Sequence, residues 1–246
     1  MVLSNKHPRV RELSFQKLLN QRVGELELRP SDSLRECLIQ LRRELIQKHI
    51  AFFPHFYFGE EPWGCIDRTG SVEIPFYLAT NSLRRIAERY YLTYSKKEIM
   101  MLLRHETGHA VNYAYKLWMR RDWKNLFGKF QKRYTNFYNY DPHSKHFVRY
   151  LHYIGNPHYA QKHPDEDFAE TFAVWLDPSS KWKWNYRQWE GALEKLRFVD
   201  RLFRRERIAD RRPLKVRYNE RGSYRNIVST IAEYFEIEKK VDTIFR

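Results

Sequence analysis

The chain has 246 residues, a formal net charge of +15 at pH 7 from 45 Lys and Arg against 30 Asp and Glu, and 16% aromatic residues. That length buries enough apolar surface to fold without disulfides, and the aromatic content excludes a disordered class. Nine glycines and ten prolines exclude collagen-like and low-complexity chains, while the charge leaves a nucleic-acid or membrane-surface partner open.

Residues 1–10 hold no apolar run of signal-peptide length, and no stretch of 18 apolar residues occurs, so no membrane insertion is expected. The two cysteines, Cys37 and Cys65, are too few for a Cys-rich zinc site, and a reduced, cytoplasmic protein is expected. Apolar spacing predicts amphipathic helices over 9–22 and 32–50, the second starting after Pro30–Ser33. Residues 51–62 read as extended, 67–70 as a turn, and 71–79 as a strand that Pro75 would confine to a sheet edge. Asn81 and Ser82 predict the cap of a short helix to about Tyr90.

Ser95 and Glu98 form a capping box that opens a helix reaching about Met119. Residues 120–162 are basic and irregular, with short helices expected near 123–132 and 144–151. Residues 163–176 predict a helix with Pro164 in its first turn, stopped by Asp177–Ser180. Two more helices are expected over about 188–207 and 223–240. The fold class is α+β, mostly α-helical, with a small sheet formed early in the chain. Three parts follow: an N-terminal helical segment (1–50), a domain over 51–180, and a C-terminal helical extension (181–246) packed on that domain.

The capped helix carries His105, Glu106 and His109 in a His-Glu-x-x-His pattern. Histidines four residues apart leave one helix face about a turn apart, the separation two imidazoles need to hold one zinc ion. Glu106 points to the neighbouring face, where it can hold the attacking water. Ile99, Leu102, Leu103, Glu106, Ala110, Tyr113 and Leu117 share a broad face, with the histidines at its edge. The competing reading is a pair of surface histidines, or core histidines satisfied by hydrogen bonds.

A catalytic zinc site needs a third ligand and an open position. Asn112 and Tyr115 stand where one known continuation requires glycine and histidine, so that class is excluded. A carboxylate from a later helix fits instead. Glu166 and Glu170 share a face with Ala169 and Ala173, small residues that allow close approach to the histidine helix. Glu166 is the expected ligand, and Glu170 the expected acceptor for the free ring N–H of a ligating histidine. Asp165, Asp167, His158 and His163 are rival ligands, Asp167 facing away from Glu166 and Glu170. A solvated acidic face at a helix N-terminus is the simpler reading of these carboxylates.

His105–His109 followed by Glu166–Glu170 resembles the glutamate-ligand zinc peptidases, and within them the lethal-factor type of toxin protease. In that type a tyrosine seven residues before the ligand glutamate stabilises the tetrahedral intermediate, and Tyr159 occupies this position. Trp63–Arg68, Ile74–Ala79, Arg104–Tyr115 and Tyr159–Trp175 are similar to a bacterial family of zinc-binding metallopeptidases, over about residues 50–205. Many members carry an N-terminal zinc ribbon, for which this chain lacks cysteines. The resemblance implies a zincin-like catalytic domain over 51–180, a Zn²⁺ cofactor held by His105, His109 and Glu166, and a peptide or protein substrate. It implies Glu106 as general base and Tyr159 as the oxyanion donor. If strand 71–79 is an edge, a peptide could pair with it in part.

Other readings compete. Residues 51–80 sum to −3 and 161–180 to −4, whereas 81–160 sum to +10 and 181–246 to +8. The ligand-carboxylate region is therefore acidic inside a basic shell. The basic runs read more simply as solvated faces than as phosphate sites, with polyanion contact as the alternative. A nucleic-acid-associated basic protein, a protease acting on DNA-bound proteins, an inactive zinc-binding scaffold and a hydrolase of another amide or ester remain the alternatives.

Overall fold

A computed structural model of the chain describes residues 15–60, 62–151, 158–210, 213 and 216–236. They form a mostly helical α+β arrangement with one three-stranded sheet. Helix α1 (Phe15–Leu19) is shorter than the 9–22 pattern suggested; residues 9–14 lie outside the described residues. It stops because the amides of Val23 and Gly24 donate to the carbonyls of Ser229 and Ile227 rather than back along a helix. Helix α2 (Asp32–Gln47) starts where Ser31 Oγ accepts from the Leu34 amide, and it buries Leu34, Cys37, Leu41 and Leu45.

Strand β1 (His55–Gly59) pairs parallel with β3 (Ser71–Pro75), and β2 (Gly64–Cys65) pairs antiparallel with the other side of β3. The sheet order β1-β3-β2 makes the 71–79 segment central and not an edge. Pro75 is tolerated because it is the last residue of the strand, whereas β2 pairs only with Val72 and Glu73. All five residues of β3 are buried, so no added peptide strand can reach it. Helix α3 (Asn81–Glu88) follows, capped by Thr80 Oγ1 accepting from Leu83 and not by Asn81 or Ser82.

Helix α4 (Lys96–Ala114) has the full capping box: the Ser95 amide donates to Glu98 Oε2 at 2.6 Å, and the Glu98 amide to Ser95 Oγ at 3.2 Å. It ends five residues before Met119, where Lys116 turns left-handed at φ 49°. Every residue from Ile99 to Asn112 is buried. The histidines are therefore enclosed, not placed on the rim of an amphipathic face, because α2, α6 and the sheet all pack on α4.

Helix α5 (Arg121–Phe127) ends at Gly128, whose φ of 100° suits glycine. Residues 144–150 form turns and bends, not the expected helix. Their amides are used elsewhere: Tyr150 and Leu151 donate to Glu170 Oε2, and Arg149 to the Tyr186 hydroxyl. Helices α6 (Pro164–Leu176), α7 (Trp182–Asn185) and α8 (Glu190–Arg204) complete the core, in which Trp123, Phe168, Phe172, Trp175, Phe198 and Phe203 are fully buried. The expected 223–240 helix is a 3-10 turn at Tyr224–Asn226 and a helix from 231; residues 237–240 lie outside the described residues. No helix among the described residues is long and apolar enough to cross a membrane.

Helices α4 and α6 make the most extensive contact in the fold, and Gly108 sets their separation. A Cβ at Gly108 would stand 2.9 Å from Ala169 Cα and 3.1 Å from its carbonyl oxygen, and backbone cannot move aside as a flexible side chain can. Gly108→Ala gains about 1 kcal/mol of helix propensity, but the overlap costs about 1–3 kcal/mol. A lower denaturation midpoint is the expected result, read by thermal melts.

Candidate metal centre

The contact between α4 and α6 brings three ligand atoms together. His105 Nε2 lies 3.0 Å from Glu166 Oε2, His109 Nε2 lies 3.2 Å from the same oxygen, and the two nitrogens are 3.2 Å apart. Ligands bound tetrahedrally at zinc distances stand about 3.3 Å from one another. The triangle therefore has nearly the dimensions of one tetrahedral face, and its residues could hold a metal ion.

The remaining ring nitrogens are each engaged. His105 Nδ1 donates to Glu170 Oε1 at 3.0 Å, and His109 Nδ1 donates to Asp165 Oδ2 at 2.8 Å. A carboxylate can only accept, so both rings carry hydrogen on Nδ1 and turn their Nε2 atoms inward. Glu170 is anchored in turn by the Tyr150 and Leu151 amides, and Asp165 by Asn112 Nδ2 and the Tyr113 hydroxyl. Two imidazoles and a carboxylate, with both rings held in orientation through Nδ1, form a donor set suited to a divalent metal ion.

Electrostatics follow from this burial. Burial alone would lower the pKa of His105, but its bonds to Glu166 and Glu170 outweigh that and raise it to about 9. Burial opposes ionisation of Glu166, yet the two histidines outweigh it and hold its carboxyl well below the usual range. The metal-free site is thus proton-loaded at neutral pH. A metal must displace a proton from His105 at every pH below about 9, so apparent zinc affinity is expected to fall as pH drops, about tenfold per unit for each proton displaced. Competition with a chromophoric chelator at several pH values reads this slope.

The triangle opens onto a cleft of about 570 Å³. Glu106 lines it, with burial pushing its pKa up while the two histidines and the Cys65 amide act in the opposite direction. Tyr159 lines it too, and its hydroxyl donates to Glu166 Oε1 at 3.2 Å. Strand β2, not the 71–79 strand, borders the cleft. The rival ligands take other roles. Asp165 orients His109, Asp167 pairs with Lys195 at 2.6 Å, His163 caps α6, and His158 stacks on Tyr140. Cys65 also borders the cleft, but burial and then Glu106 push its thiol well up; both cysteines are free.

Two neighbours of the triangle take positions that the sequence does not mark. Asp165 reads from the sequence only as a ligand, although its place one residue before Glu166 puts it near the site. Tyr134, whose hydroxyl donates to Glu166 Oε1 at 2.5 Å and lies 3.2 Å from the Tyr159 hydroxyl, belongs to an irregular segment without periodicity to mark it. No family model, curated protein or solved structure matches the chain, so the functional reading rests on the chemistry of these side chains.

Proposed function

We propose that the chain is a zinc-dependent metallopeptidase of zincin-like architecture. The observation that carries this reading is the convergence of His105 Nε2, His109 Nε2 and Glu166 Oε2 beside an open cleft that also holds an acid–base group, Glu106. A purely structural zinc site closes its fourth position and needs no base. The similarity of the His105–His109 and Glu166–Glu170 segments to glutamate-ligand zinc peptidases points the same way.

Zinc, when held there, supplies the Lewis acidity that makes hydroxide available near neutral pH. Glu106 accepts the proton of the attacking water and delivers it to the leaving amine nitrogen. The Tyr159 hydroxyl turns from Glu166 to the substrate carbonyl oxygen as negative charge develops, a contribution of about 3–4 kcal/mol for a well-placed donor. Glu170 and Asp165 keep the two imidazoles oriented. The substrate lies in the cleft beside β2.

Protein purified without chelators is expected to carry about one zinc per chain and to cleave members of a peptide library. Chelation should abolish cleavage and zinc should restore it. Absence of bound metal, or cleavage indifferent to chelation, would overturn the proposal.

A further inference from the structure

Part of the positive charge lies on α7 and α8. Helix α8 packs on α6, and together with α7 it borders a recess of about 440 Å³. Four cations line the recess, Lys183, Arg197, Arg201 and Arg205, against one acid, Asp200. That acid is already engaged, by Trp175 Nε1 at 3.0 Å and Arg204 at 3.8 Å. Arg201 has acidic neighbours in Glu206 at 3.4 Å and Asp122 at 3.9 Å. Arg197 and Arg205 are exposed and have no ion pair among the described residues. Arg197, Arg201 and Arg205 stand four residues apart, one turn above another on one face.

Aromatic rings interleave with the charges. The segment Lys181–Arg187 alternates lysine and tryptophan before ending on arginine. Trp182 is buried as an anchor, whereas Trp184 is 65% exposed with the Arg187 guanidinium 4.0 Å from its ring centroid.

We propose that this α7–α8 face binds single-stranded nucleic acid. Lys183, Arg197, Arg201 and Arg205 hold successive phosphates, and the exposed face of Trp184 stacks on a base. A cationic groove that follows the backbone, with an aromatic platform beside it, is the combination that single strands require. An anionic membrane fits less well, because the cations line a recess and no long apolar helix face accompanies them. None of the recess residues lines the metal cleft, so the inference stands or falls independently of the peptidase reading.

The test is fluorescence anisotropy of a labelled oligodeoxythymidine of about 20 nucleotides, titrated with the full-length protein. Four phosphate contacts on a single strand predict binding about fifty-fold weaker at about 200 mM salt than at about 50 mM. Arg197→Glu with Arg205→Glu is expected to weaken binding at least about tenfold and flatten the salt slope. Trp184→Ala is expected to weaken it by about tenfold and remove most of the tryptophan quenching that the oligonucleotide causes. Melting temperature and zinc content should not change in either variant. No anisotropy change at the lower salt would overturn the proposal. So would wild-type affinity in the double variant, or binding to phosphatidylserine vesicles without binding to the oligonucleotide.

Discussion

Glu106→Gln is expected to keep about one zinc per chain while peptide cleavage falls by about 10²–10⁴-fold or more. The side chain is buried on α4, beside both histidines, and its carboxylate accepts from the Cys65 amide. Glutamine has the same shape and can still accept that bond, so packing and metal retention should survive. Its amide cannot take a proton from water, and the base is lost. The loss should fall on kcat with KM little changed, because the substrate is held by other groups. Metal analysis, thermal melts and kinetics on one preparation separate these effects. Unchanged cleavage would show that Glu106 is not the base.

Arg104→Met is expected to lower stability by about 3–5 kcal/mol. Arg104 is 5% exposed. It makes two bonds to Glu44 on α2, at 2.7 and 2.8 Å, and one each to Asp177 at 2.8 Å and the Tyr150 hydroxyl at 2.9 Å. One side chain thus ties α2, α4, the end of α6 and the segment that carries the Glu170 anchor. Removing it leaves the buried Glu44 and the part-buried Asp177 without a countercharge. Arg104→Lys should recover little, since an ammonium cannot engage Glu44 with two parallel bonds. Adding Glu44→Leu to Arg104→Met should recover part of the loss by removing one stranded charge. Chemical denaturation reads all three; a cost below about 1 kcal/mol for Arg104→Met would mean that water reaches and screens the site.

Much of the local structure was legible before any coordinates. The Ser95 and Glu98 box, the Pro164 start of α6 and the Asp177 stop all appear, because caps act within a turn of the chain. Strand β3 was legible as a strand but not as a central one: proline identity says nothing about whether its position falls beyond the reach of a two-residue neighbour. The 144–151 segment has helical spacing, yet its Tyr150 and Leu151 amides are used by Glu170 from 20 and 19 residues away. The first part of the 223–240 pattern is overridden in the same way, where Ile227 and Ser229 supply carbonyls to Gly24 and Val23, whereas 231–236 are helical. In each case a long-range partner outcompeted the local hydrogen bond.

By itself the sequence determined that two imidazoles leave one helix about a turn apart with a carboxylate between them, since that depends only on helical pitch. It also determined that Glu166 and Glu170 share a face, for the same reason. Which of five carboxylate and imidazole candidates reaches the histidines was decided by tertiary structure. That choice spans 57 and 61 residues of sequence and depends on how closely Gly108 lets α4 approach Ala169. Tertiary structure alone also made Asp165 the partner of His109 and brought Tyr134 beside Glu166. The net charge of +15 counts side chains without locating them. Packing put the carboxylates inside with the histidines and left arginines on the outer side of α8, because burial of an ion is tolerated only where a partner is built in.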